Sequence, residues 1–120
     1  MKRHLAWILT AAILATSASA VGAHQLVQMR LRGYYYSAPA TVQIIVAVEP
    51  DSRNRRLLIE ADGSSMFRST EVALDGADAE RVHTVEFKNL APGTYVLRAS
   101  VASETKVLDT VEQRLTVDGN

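Results

Sequence analysis

Between Val27 and Val117 the apolar residues of this chain recur at every second position, in seven short runs separated by turn-forming residues. A period of two sends alternate side chains to opposite faces of an extended strand, so such runs build half-buried strands and not amphipathic helices. Val42, Ile44, Val46 and Val48 share one face, with Thr41, Gln43, Ile45 and Ala47 on the other. Val27, Met29 and Leu31 oppose Gln28, Arg30 and Arg32 in the same way. Leu57, Ile59 and Ala61 oppose Arg56, Leu58 and Glu60, while Val85 and Phe87 oppose Thr84, Glu86 and Lys88. Tyr95, Leu97, Ala99 and Val101 form the cleanest inward set, and Val111, Leu115 and Val117 end the series. The phase breaks between Phe67 and Leu74, which predicts a bulged strand or two short edge strands there.

Turn formers occupy the joints: Ser37 to Pro39, Glu49-Pro50-Asp51, Asp62-Gly63, Asp75-Gly76 and Pro92-Gly93. Short strands at this spacing, with no helical period among them, predict an all-β fold: a seven-stranded antiparallel sandwich of two packed sheets.

One joint is more specific. From about Thr41 to Val117, with Phe87-x-x-Leu90-x-Pro92-Gly93-x-Tyr95 as a corner, the chain resembles immunoglobulin-like and fibronectin type III-like modules of bacterial exported proteins. The resemblance implies that Leu90, Pro92 and Gly93 shape the corner. It also implies that the Tyr95 ring fills the end of the core and its hydroxyl bonds to backbone just upstream. It does not extend to antibody-type domains, because the chain has no cysteine and its single tryptophan, Trp7, lies near the start. A transthyretin-like sandwich, found as the regulatory domain of carboxypeptidases, also carries a Pro-Gly-x-Tyr step and is the alternative fold.

Residues 1–20 read differently. Met1-Lys2-Arg3-His4 is basic, Leu5 to Ala15 is apolar, and Thr16-Ser17-Ala18-Ser19-Ala20 ends on Ala-x-Ala. That is the pattern of a helical secretory signal peptide, too short to span a bilayer as an anchor. Cleavage is expected after Ala20, with Ala23 as the alternative. The sandwich domain is then 24–120, and the mature protein is expected in the periplasm or the medium. Removing Lys2 and Arg3 leaves two more acidic than basic side chains. That balance directs the protein neither to nucleic acid nor to an anionic membrane, and no second apolar run of spanning length follows.

Chemistry-bearing motifs are sparse. Neither a nucleophile elbow nor a zinc-protease helix nor a phosphate-binding glycine loop occurs, and only His24 and His83 follow the signal segment. No catalytic constellation can be assembled and no cofactor is implied, so a non-enzymatic binding or interaction module is expected. Its partner is expected to be another envelope or secreted protein. The candidate ligand-binding residues are Tyr34, Tyr35 and Tyr36, whose rings cannot all be buried on one strand face, and the basic loop residues Arg53, Arg55 and Arg56. Exposed tyrosines suit stacking on sugars, which makes a carbohydrate-binding module for a polysaccharide the first alternative function. The plainer reading has Tyr34 and Tyr36 covering a sheet edge and the arginines as ordinary surface.

Asp75-Gly76-Ala77-Asp78-Ala79-Glu80 is acidic but lacks calcium-loop spacing, and reads as a turn. His83 reads as a cap on the end of the core. A second alternative is copper binding, by resemblance to periplasmic copper-resistance proteins with a mature N-terminal histidine. Cleavage after Ala23 would give His24 that position, with His83 as a further nitrogen ligand. The Asp-x-His pair of that family is absent, since Ser103-Glu104-Thr105-Lys106 stands in its place.

Overall fold

Alternation along the chain becomes two facing sheets in space. The structure, a computed structural model, describes residues 25–119, so the signal segment, both cleavage sites and His24 lie outside the described residues. The strands are β1 (Val27–Leu31), β2 (Tyr35–Ser37), β3 (Ala40–Val48), β4 (Arg56–Gly63), β5 (Phe67–Ala73), β6 (Val82–Leu90), β7 (Gly93–Ala102) and β8 (Val107–Asp118). A 3-10 turn at Gly76–Asp78 links β5 to β6. One sheet has the order β1-β3-β6 and the other β2-β8-β7-β4-β5.

Every run expected to be a strand is one, and the chain adds an eighth. Strand β2 pairs in parallel with β8, Tyr36 beside Val117, and Thr116 N–H donates to the Tyr34 carbonyl at 2.8 Å. Its three residues carry too short a pattern to be read from hydropathy. The bulge or split expected between Phe67 and Leu74 is not there. Strand β5 runs in one unbroken register against β4, from Asp62↔Phe67 to Arg56↔Ala73. The phase is blurred because β5 is an edge strand. Its inward positions Arg68, Thr70 and Val72 are only half-buried, so polar residues cost little there.

Inward faces of both sheets meet in one core. Val42, Ile44, Val46, Leu57, Ile59, Leu97, Ala99 and Val101 are fully buried, each larger aliphatic contributing about 1.5–3 kcal/mol on leaving water. At one end the core is closed by the β6–β7 corner. Tyr95 is buried, and its hydroxyl donates to the Ala91 carbonyl at 2.6 Å. Gly93 adopts φ +149° there, a conformation that side chains with a Cβ rarely take.

The two lateral sides of the sandwich differ. On the β1–β8 side Asp109 accepts hydrogen bonds from the backbone N–H of Leu26 at 2.8 Å and Val27 at 3.2 Å. Gln113 Nε2 donates to the Met29 carbonyl at 2.7 Å. Both side chains come from β8, so they fasten the first strand of one sheet to an inner strand of the other.

Candidate functional site

Antiparallel pairing collects the ends of several strands at one pole. The pairs Val27↔Val48, Ala47↔Val82 and Arg56↔Ala102 bring together the start of β1, the 51–55 loop, the start of β6 and the 103–106 loop.

The 51–55 loop is ordered by Asn54, the sole fully polar side chain in the core among the described residues. Asn54 Nδ2 donates to the Glu49 carbonyl at 3.0 Å. Its backbone N–H donates to Asp51 at 3.1 Å and its carbonyl accepts from Gly76 N–H at 3.0 Å. Arg55 joins three segments: its N–H donates to Ala102, and its carbonyl accepts from Leu74 N–H, both at 2.9 Å. A buried amide in the middle of a basic loop gave no sequence signal, because polar residues in loops are the common case.

The loop's arginines are largely engaged. Arg53 grips Asp51 through Nε at 3.0 Å and Nη2 at 2.9 Å. Hydrogen bonding to Asp51, reinforced by its charge, raises the guanidinium above its ordinary pKa. Arg55 Nη1 donates to the Ser52 and Asn54 carbonyls at 3.0 and 2.7 Å, while its Nε lies 3.7 Å from Glu104 Oε1. Arg56 Nη2 reaches the Ser103 carbonyl at 3.4 Å. Across from them Ser103 Oγ accepts from the N–H groups of Thr105 at 3.2 Å and Lys106 at 3.1 Å, shaping the 103–106 loop. Between the two loops lies a shallow concavity of about 400 Å³, lined by Arg53, Arg55, Glu104, Lys106 and serine and threonine hydroxyls. Both signs of charge border it.

The tyrosines are split by their strand. Tyr36 faces inward beside Val117 and packs on the core, whereas Tyr35 faces outward beside Thr116 and is 81% exposed; Tyr34 is also exposed. Phe67, unnoticed in the sequence as a surface ring, is 54% exposed and shares the outer face through the row Phe67–Asp62–Val96–Arg114. Tyr35 and Phe67 stand on opposite edges of the sheet, four strand spacings or roughly 19 Å apart. Sheet twist of about 20–25° per strand turns the two rings out of a common plane. In the middle of this face Arg98 bridges Glu112 at 2.7 Å and Glu60 at 3.1 Å, and the bonds to Glu112 and then Glu60 raise its pKa.

His83 is half-buried at the start of β6, and its Nε2–H donates to the Glu80 carbonyl at 2.8 Å. The acidic segment from Asp75 forms the 3-10 turn, with Asp75, Asp78 and Glu80 exposed. Among the described residues no three histidine, cysteine, aspartate or glutamate side chains are grouped to hold a metal ion.

A three-stranded sheet of the first, third and sixth strands facing a sheet built on β8-β7-β4 is the arrangement of an immunoglobulin-like β-sandwich, with one added strand at each edge of the larger sheet. It is not the transthyretin-like alternative. No family model and no curated protein matches the chain. Among solved structures it is similar to the CARDB domain of the PF1109 protein from Pyrococcus furiosus, which was determined in complex with di-metal ions. The TM-score is 0.53 at 16% identity, over 78% of this chain and 92% of that one. At that identity the likeness concerns the fold alone.

Proposed function

We propose that this protein is an exported, non-enzymatic interaction module of the cell envelope that engages another envelope or secreted protein through its loop pole. The observation that carries the reading is the pinning of the 51–55 loop by buried Asn54 beside the 103–106 loop. Side chains borne on pre-ordered backbone lose little freedom on binding, and loops on a rigid sandwich are a common place for recognition. Mixed charge around the concavity suits a protein surface better than a uniformly anionic ligand. Export rests on the basic, apolar and Ala-x-Ala pattern of residues 1–20. Closer kinship to fibronectin type III-like modules rests on the bond from Tyr95 to Ala91.

A second reading, a carbohydrate-binding module, is favoured by the exposure of Tyr35 and Tyr34. Its ring is not joined by Tyr36, and Phe67 lies across a twisted sheet, so any stacking on sugar falls to Tyr35 and Tyr34.

A photoreactive residue at Thr105, in cells exporting the protein, tests the first reading. Cross-linking to one envelope protein, lost in Arg55→Glu and Lys106→Glu variants that still fold, supports it. Retention on a polysaccharide that disappears in Tyr35→Ala would replace it with the second reading. Neither cross-link nor retention would overturn both.

A further inference from the structure

We infer that β5 is a self-pairing edge, through which two copies of this chain join their five-stranded sheets into one continuous sheet.

Four strands lie at sheet edges, and three are protected. Strand β1 is fastened by Asp109 and Gln113, and β2 has only three residues. Strand β6 leaves regular pairing at the Ala40/Val42 register shift, next to Asn89 at φ +59°. Bulges and short length are standard protections for an edge. Strand β5 has neither, and its seven residues include no proline or glycine.

The direction of its backbone groups follows from two bonds. Gly63 N–H donates to the Met66 carbonyl, and Leu74 N–H donates to the Arg55 carbonyl, both at 2.9 Å. Both pairs continue the register of Asp62↔Phe67. Hydrogen-bonded pairs alternate along an antiparallel ladder. Met66, Arg68, Thr70, Val72 and Leu74 therefore turn their N–H and C=O groups toward β4. Phe67, Ser69, Glu71 and Ala73 turn theirs to the open edge.

A two-fold axis at Thr70 makes that row complementary to itself. Ser69 then faces Glu71 of the second copy and Phe67 faces Ala73, so all four outward residues are paired in both copies. Sliding by two residues one way sets Glu71 against Glu71, and sliding the other way leaves Ala73 unpaired. The exposed Phe67 ring gains an apolar neighbour in Ala73. Arg68, the one charge on the inner face of β5, meets Val72 and no second cation. That inward charge keeps the association reversible and dependent on concentration.

Sedimentation of the exported protein over a range of concentrations tests this. A reversible dimer is expected. Ser69→Pro removes an N–H that β4 does not use, so the variant should fold by circular dichroism and sediment as a monomer. Ser69→Lys should tighten the dimer several-fold by facing Glu71, and adding Glu71→Lys should reverse the gain. Because the chain has no cysteine, Thr70→Cys should give a disulfide-linked dimer under oxidation. A monomer at every concentration would overturn the inference, as would a dimer indifferent to Ser69→Pro. If Ser69→Pro fails to fold, the two lysine variants decide: a dimer they leave unchanged overturns it.

Discussion

Gly63 lies against the face of Tyr95, so closely that a Cβ at position 63 would come within 2.7 Å of Tyr95 Cε2 and 2.8 Å of Cδ2. The two residues are cross-strand partners on β4 and β7. A turn signal and a corner motif far apart in sequence are therefore a single packing unit. Gly63→Ala should cost about 1–3 kcal/mol, the usual penalty for forcing an extra carbon into a packed core. Gly33→Ala, with nothing within 4 Å of its Cβ position, should be close to neutral. Urea unfolding of the two variants side by side checks the contrast.

Tyr95→Phe keeps the ring and removes the donor to the Ala91 carbonyl, an expected loss of about 1–3 kcal/mol if that acceptor stays dry. Tyr95→Ala also opens a cavity and should cost about 3–5 kcal/mol, enough to unfold a domain of marginal stability. Tyr35→Ala, at an 81% exposed position, should lie within about 0.5 kcal/mol of the parent. Equal effects at Tyr95 and Tyr35 would remove the corner from the account of the fold.

Asn54→Ala should destabilise the protein by about 1–3 kcal/mol, since the Glu49 carbonyl loses its donor. The more telling readout is local. Amide exchange of Asn54, Arg55 and Gly76, whose N–H groups bond to Asp51, Ala102 and Asn54, should quicken ahead of the core strands. Uniform acceleration would mean the loop is not held independently.

Asp109→Ala should release the N-terminal end of β1, because the N–H groups of Leu26 and Val27 lose a charged acceptor. Bonds to charged groups contribute about 1.5–3 kcal/mol. Faster exchange at Leu26 and Val27 with unchanged exchange in β7 is the expected pattern. Protection retained at both residues would show that Asp109 is not what holds them.

Copper added to the exported protein should bind no more tightly than to His83→Ala, because among the described residues no group of three histidine, cysteine, aspartate or glutamate side chains stands ready to hold an ion with it. Isothermal titration of both proteins checks this. Tight stoichiometric binding that vanishes in the variant would bring His83 and His24 back as ligands.

The strands of this protein were legible from residues alone wherever one face is fully buried. Val42, Ile44, Val46 and Val48, or Leu57, Ile59 and Ala61, lie against a dry core, which enforces strict alternation. Gly93 and Tyr95 stood out for a related reason, since glycine before a buried tyrosine answers to a backbone angle and a core position at once. Where burial is partial the pattern faded. Strand β5 read as broken because an edge tolerates Arg68 and Thr70 facing inward, and β2 was too short to show a period. Strand pairing, and the roles it creates, needed the tertiary structure. Asn54, Asp109 and Gln113 look like ordinary polar residues in sequence, and their partners at Glu49, Leu26, Val27 and Met29 are backbone groups with no side-chain signature. The tyrosine triplet was divided by register, with Tyr36 to the core and Tyr35 to solvent. Sequence determined which residues leave water, because hydrophobic burial acts residue by residue. Which strand neighbours which, and which edge stays open, follows from contacts between distant segments that only the folded chain brings together.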